Sequence, residues 1–247
     1  DASKSRGLGD VYKRQVSKQT SMSWRRGYRI IPKFLMGQPS DVFASKMVFL
    51  PIFIRNFLAG ILAYITNGPN SNYGLPNPEH NFGATHPTVN SELLYKIRHG
   101  KIKPKGEIEC FDGKLVKFKD KTEEEFDVII ACTGFVLSHP FFDKDFLNYT
   151  KGPVPLYLKM FHSSYDNLFF IGMFQPLGCI WPASEQQSKL VVKAIKGNWK
   201  RPSNIDKLCQ KEITHPHMKQ IETSRHRITV DFHRFIKDLK TQIKLSY

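Results

Sequence analysis

Arg25 and Arg26 are the first residues along this chain whose types and spacing suit a definite chemistry. They follow hydroxyls at Ser21 and Ser23 and precede Gly27. A guanidinium grips phosphate oxygens in a bidentate fork, and hydroxyls beside a loop glycine complete a phosphate clamp. The same pair equally suits a solvated basic turn, the commoner fate of adjacent arginines. Gly134 is the second candidate. It closes Phe-Asp-Val-Ile-Ile-Ala-Cys-Thr-Gly-Phe at Phe126 to Phe135, and glycine lets a ligand approach the main chain closely. The third is the stretch Asn-Leu-Phe-Phe-Ile-Gly-Met-Phe-Gln-Pro-Leu-Gly from Asn167 to Gly178. Gln175 there both donates and accepts hydrogen bonds, Gly172 and Gly178 admit close backbone approach, and Gln175 equally suits bracing its own loop.

Other chemistries are excluded. No Ser-His-Asp, Cys-His or paired-carboxylate constellation is present, so no catalytic residue is assigned. Cys110, Cys132, Cys179 and Cys209 lack metal or redox spacing and read as free thiols of a reducing compartment. His215, His217, His226 and His233 have no matching carboxylate or cysteine cluster, so no metal site is assigned. His86 and His99 stand alone and read as surface or capping residues.

The formal charge is +15, with 37 Lys and Arg against 22 Asp and Glu. These charges are spread along the chain and accompany no nucleic-acid-binding motif, so nucleic acid is set aside and anionic cofactors such as nucleotide phosphates are preferred. Hydrophobic content of 40% with 19 Phe is that of a globular protein. No run reaches the roughly 20 apolar residues needed to span a bilayer. Phe49 to Ile65 comes closest and is interrupted by Pro51, Arg55, Asn56 and Gly60. The expectation is a soluble cytoplasmic protein, with peripheral membrane attachment left open. Residues 1–15 are charged and aperiodic and read as a non-native leader.

The elements that must position these residues follow from periodicity. Phe126 to Phe135 reads as a buried strand running into a tight turn. Leu168 to Ile171 reads as a second apolar strand, followed by a loop to Pro182 and a helix over Ser184 to Gly197. Helical spacing marks Asp41 to Lys46, Leu50 to Ile65 and Ser91 to His99, the last capped by Asn90 or Ser91 and stopped by Gly100. Glu107 to Lys121 alternates around Asp112-Gly113 and predicts a hairpin. Ile205 to Arg225 reads as a solvated helix, and Ile228 to Phe232 with Phe235, Ile236 and Leu239 as a final apolar-faced segment.

Taken together, the Phe126 to Phe135 and Asn167 to Gly178 stretches, in this order and spacing, resemble the C-terminal half of flavin-containing monooxygenases. The first matches that family's Asp-x-(apolar)-Ala-Thr-Gly-aromatic signature. Ser23-Trp24-Arg25-Arg26-Gly27 resembles its Ser-x-Arg-Arg-Gly, which follows the second strand of the NADPH-binding half, and the likeness extends from about Val16 to the chain end. It implies an α/β fold with two Rossmann-like dinucleotide-binding domains, of which only the C-terminal parts are present: 16–134 for NADPH, with a helical insertion at about 36–82 covering the active site, and 135–247 for FAD. It implies that Ser23, Arg25 and Arg26 hold the NADP 2′-phosphate, that Thr133 and Gly134 lie at the domain junction, and that Gln175 and Gly178 contact the flavin. Gln186 and Gln187 sit in a Glu-Gln-Gln pattern similar to the family's Glu-Leu-Gln. The implied reaction is insertion of one oxygen of O2 into a soft nitrogen or sulfur of a small amine or sulfide, through a C4a-hydroperoxyflavin. A homodimer is carried as the assembly.

GxGxxG, which holds a dinucleotide pyrophosphate at a helix N-terminus, occurs nowhere in the chain. The chain is therefore read as a fragment, inactive alone. Two other readings are kept: a Baeyer–Villiger-type ketone monooxygenase of the same superfamily, and a non-catalytic basic module that binds a membrane surface or nucleic acid.

Overall fold

The computed structural model describes residues 17–134, 136–143, 146–147, 149–176, 178–218, 220 and 226–245. The expected leader lies outside them. The chain divides into two compact units, Asp1–Phe135 and Val136–Tyr247. Helices and strands are mixed in both, consistent with the α/β class.

In the first unit, β1 (Thr20–Ser23) pairs in parallel with β6 (Ile102–Lys105), and β2 (Ile30–Ile31) pairs in parallel with β5 (Thr88–Val89). Parallel neighbours need a long crossover. Here the crossover contains the hairpin β3 (Phe34–Leu35) and β4 (Gln38–Pro39), the helices α1 (Ser40–Ser45) and α2 (Ile52–Asn67), and a 3-10 turn at Asn70–Tyr73. The helix α3 (Leu93–Arg98) leads back into β6. It begins where Asn90 Oδ1 accepts from the backbone N–H groups of Glu92 and Leu93, both at 2.8 Å, and it stops at Gly100, whose φ of +65° suits glycine. Leu93, Leu94 and Ile97 recur at helical spacing and bury against Met22, Trp24, Ile30 and Ile102.

Expected helices at 41–46, 50–65 and 91–99 thus appear within a few residues of their predicted ends. α2 buries little, with Phe53, Phe57, Ile61 and Ile65 exposed along it. The predicted hairpin is β7 (Ile108–Asp112) with β8 (Leu115–Phe118), continued by β9 (Glu123–Glu125) into an antiparallel meander. Gly113 takes φ +60° at the first position of its two-residue loop.

The stretch after β9 corrects the sequence reading. Asp127 to Gly134 forms no strand, and Val128, Ile129 and Ile130 are 74%, 48% and 55% exposed. A β-branched run fits a pleated, half-buried surface rather than carrying an intrinsic strand preference. No described strand pairs with this one, so its apolar side chains face solvent.

In the second unit, β10 (Leu156–Tyr157) and β11 (Phe161–His162) form a hairpin, and β12 (Gln175–Pro176) pairs in parallel with β13 (Thr229–Val230). The expected strand at 168–171 reduces to a single bridge between Phe169 and Phe161, because β11 is too short to offer it a ladder. The helix expected from Ser184 starts earlier, as α4 (Trp181–Ile195), and packs against α6 (Phe232–Lys244). α6 begins at Asp231, whose side chain accepts from the backbone N–H of Arg234 at 2.9 Å. The helix expected over 205–225 is α5 (Ile205–Thr214) and ends before Pro216, which forces His215 out of the helical region to φ −129° and ψ 65°; residues 221–225 lie outside the described set. The core gathers Met160, Phe161, Phe174, Leu190, Phe235 and Leu239, with the Trp199 indole stacked 4.5 Å from the Phe161 ring.

None of the four cysteines forms a disulfide, and no group of three potential metal ligands occurs among the described residues. No helix among them is long and apolar enough to cross a membrane.

Candidate functional site

The end of β1 presents the paired arginines. The backbone N–H of Trp24 extends the ladder by donating to the Lys105 carbonyl at 2.9 Å, and the chain then turns through Arg25 and Arg26. Arg25 is exposed. Arg26 is half-buried: its Nε donates to Tyr28 Oη at 3.4 Å, and its guanidinium sits 5.5 Å from the Tyr28 ring centre. One guanidinium is therefore in solvent and the other is held against an aromatic ring.

The hydroxyls differ from the simple clamp. Ser23 is exposed, but its Oγ donates to the Gly106 carbonyl at 2.7 Å, so its proton is committed and only its lone pairs remain. Ser21 Oγ points inward and is buried with no hydrogen-bond partner among the described residues. Gly27 has a packing role: a Cβ there would overlap the backbone carbonyl of Asn77 and the nitrogen of Pro78. The cationic part of the site rests on Arg25 and Arg26, shaped by that close approach. Thr133 and Gly134 are exposed, and Gly134 takes φ +96° with open space where a Cβ would stand.

In the second unit, the loop before α4 is built on glycine geometry. Gly172 has φ +79° and Gly178 φ +145°, and a Cβ at Gly178 would meet nothing within 4 Å. Gln175 lies between them, half-buried, in the β12 pairing with Thr229. The helix beyond has no side-chain cap: Ile180 occupies the cap position and Pro182 the first turn, where its missing N–H costs nothing. Uncapped first-turn N–H groups and the helix dipole favour an anionic or electron-rich group at that end.

Behind this loop lies a buried polar network centred on Gln187, whose Glu-Gln-Gln pattern stood out in the sequence while its partners did not. Gln187 is 0% exposed. Its Oε1 accepts from the Gly172 backbone N–H at 2.9 Å, and its Nε2 donates to the Leu158 carbonyl at 3.0 Å. Leu158 and Lys159 both adopt the left-handed region, with φ +52° and +55°. Glu212 holds them there: one carboxylate oxygen accepts from the Leu158 backbone N–H at 3.2 Å, and the other pairs with Lys159 Nζ at 3.3 Å. A sequence signal existed. In α4 the buried positions are Ala183, Gln187, Leu190 and Val191, so a glutamine occupies the apolar stripe.

Shifted titrations in this unit trace to burial. It pushes the Tyr149 and Tyr157 phenols up to about 12 and raises the Cys209 thiol. It also lowers the imidazoles of His162, helped by Arg201, and of His217, against the pull of Glu212 and Asp238. These are groups held neutral around the core.

Residues 12–246 match the family described as flavin-binding monooxygenase-like. The chain belongs to that family. Flavin-binding monooxygenase-like relatives of known name include flavin-containing monooxygenase 5 of Cavia porcellus, 31% identical over 240 residues, covering 91% of this chain and 44% of the relative. The Homo sapiens flavin-containing monooxygenase 5 is 32% identical over 235 residues, with coverages of 88% and 43%. Dimethylaniline monooxygenase [N-oxide-forming] 2 of Rattus norvegicus is 32% identical over 156 residues, with coverages of 62% and 29%. The chain thus spans less than half the length of these relatives. The family's description implies a flavin as cofactor, and the open, uncapped end of α4 with its glycine loop suits one.

Proposed function

We propose that the protein is an FAD- and NADPH-dependent monooxygenase that places one oxygen of O2 on a soft nitrogen or sulfur of a small amine or sulfide. The other oxygen leaves as water. For a tertiary amine the balance is amine, O2, NADPH and one proton giving the amine N-oxide, oxidised NADP and water. The observation that carries this reading is the α4 N-terminus, uncapped and fronted by the Gly172 to Gly178 loop, in a chain of a flavin-binding family. The name of the N-oxide-forming relatives supports nitrogen as an acceptor.

In this reading residues 16–134 contribute to the NADPH side and 135–247 to the FAD side. Arg25 and Arg26 hold the NADP 2′-phosphate, Ser23 lies beside it, and Thr133 and Gly134 are cofactor-binding residues at the point where the chain leaves the first unit. Gln175, Gly178 and the first turn of α4 hold the flavin ring. When bound, the flavin takes a hydride equivalent from NADPH and activates dioxygen. The chain's own contribution is to bind and orient. The α4 N-terminus stabilises negative charge on the reduced ring, and the Gln175 amide donates or accepts at its polar edge. No protein nucleophile is called for, and phenols held near 12 stay protonated at neutral pH. A cytoplasmic homodimer belongs to the same proposal.

The test is the visible absorption of the protein at its natural length, supplied with FAD and then NADPH. Flavin bands that bleach with NADPH and return in air, together with an oxygenated amine, are the expected result. A folded protein that stays colourless with FAD supplied overturns the reading. The 247-residue chain alone, without a GxGxxG loop, is expected to hold FAD weakly.

A further inference from the structure

We propose that Gln187 is the positioning residue that sets the Gly172 to Gly178 loop for the flavin, an inference that rests on the function proposed above. A fully buried amide costs stability unless its polar atoms are bonded, and a leucine or methionine would fill the α4 stripe without that cost. Here both amide atoms are spent on backbone. The carbonyl oxygen takes the Gly172 N–H at 2.9 Å, and the nitrogen gives to the Leu158 carbonyl at 3.0 Å.

The chain entering the loop is already laid down by the bond from the Phe170 N–H to the Met160 carbonyl at 3.0 Å, and the chain inside it by the pairing of Gln175 with Thr229. Gly172 lies between these two fixed points, in a glycine conformation, and Gln187 holds its N–H. The far anchor is itself rigid, because Glu212 grips both left-handed residues of the β10–β11 turn. Gln187 stands six residues after Trp181, about 9 Å along the axis of α4. One helix therefore presents its positive end to the cofactor and fixes the loop in front of it.

Two variants of the full-length protein test this. Gln187→Met keeps the volume and removes both tethers, while Gln187→Glu keeps the acceptor and makes the donor depend on protonation. In Gln187→Met the Gly172 amide is expected to exchange faster while α4 and α6 stay protected, and FAD is expected to bind about tenfold more weakly, the worth of the bond to Gly172, which of the two lost bonds is the one made to the loop itself, with an altered flavin band. In Gln187→Glu a buried carboxyl holds its proton to higher pH than a free one. FAD binding should approach wild type near about pH 5 and fall by about pH 8, following that proton. Unchanged FAD affinity and band shape in Gln187→Met overturn the proposal. Should Gln187→Met fail to fold, pH-independent FAD binding by Gln187→Glu overturns it instead. Wild-type protein that takes up no FAD overturns the functional reading itself, and this shows before any substitution is made.

Discussion

Glu212→Ala is expected to cost the second unit about 4 kcal/mol, a large part of the total stability of an ordinary domain. The side chains of Lys159 and Glu212 are 5% and 12% exposed and their charged atoms lie 3.3 Å apart. At an effective dielectric near 20 that separation corresponds to about 5 kcal/mol of attraction. Removing the carboxylate leaves the ammonium buried without its partner, which costs about 3–5 kcal/mol in comparable pairs. It also orphans the Leu158 N–H, and it removes the support for two consecutive left-handed residues, each disfavoured by about 1–2 kcal/mol. These contributions overlap and do not add. Hydrogen exchange of the α4 and α6 amides across a urea series reads this unit by itself. Glu212→Gln, which keeps an acceptor for Leu158 but not the charge, should fall between wild type and Glu212→Ala. Adding Lys159→Met to Glu212→Ala should recover part of the loss. A cost below about 1 kcal/mol for Glu212→Ala would place the pair in the range of solvent-screened surface bridges and refute the argument.

In full-length protein, Arg25→Ala should reduce the preference for NADPH over NADH by about 10- to 100-fold, the worth of a charge-assisted hydrogen bond to phosphate; an unchanged ratio of kcat/KM values for the two cofactors sinks the clamp. Gly27→Ala drives a Cβ into the Asn77 carbonyl, and it should cost about 1–3 kcal/mol in thermal or urea unfolding and weaken NADPH binding by displacing its neighbours. The second unit should lose stability as pH falls below about 6.5. Burial lowers His217 and His162 in the folded state, so the unfolded chain binds protons more readily there, and stability rises with pH through that window. His217→Gln should flatten the pH dependence of α6 protection between about pH 5 and 7, and an identical slope in wild type and variant removes His217 from the account.

What could be read from the sequence divides along a physical line. α1, α2, α3 and α4 were legible because a helix satisfies its backbone within its own residues and writes its burial as a local period. The β7–β8 hairpin was legible for a related reason: its two strands flank the turn signal Asp112-Gly113, so both partners lie in one short window, although Asp112 pairs with Leu115 and the loop closes over Gly113-Lys114, one residue beyond the signal. Asp127 to Gly134 carries as strong an apolar, β-branched run as any in the chain, yet it lies exposed and forms no strand. Strand character depends on a partner whose position a local window does not contain. The same reasoning reduced 168–171 to one bridge, and Pro216 ended α5 where helical composition continued.

The candidate site shows a finer version of that division. Arg25, Arg26, Gly134, Gln175 and Gly178 could be nominated because each is a residue type with a recognisable use at a turn or loop. What those residues rest on could not be, since it is made of bonds between distant positions. Ser23 spends its proton on a carbonyl 83 residues away, and Gln187 joins Gly172 to a turn 29 residues before it. One such bond still left a mark on the sequence. A glutamine in the buried stripe of an amphipathic helix must find two backbone partners or destabilise the helix it sits in. Polar residues at core positions therefore point toward loops that have to be held still, and in α4 that loop is the one carrying Gln175 and Gly178.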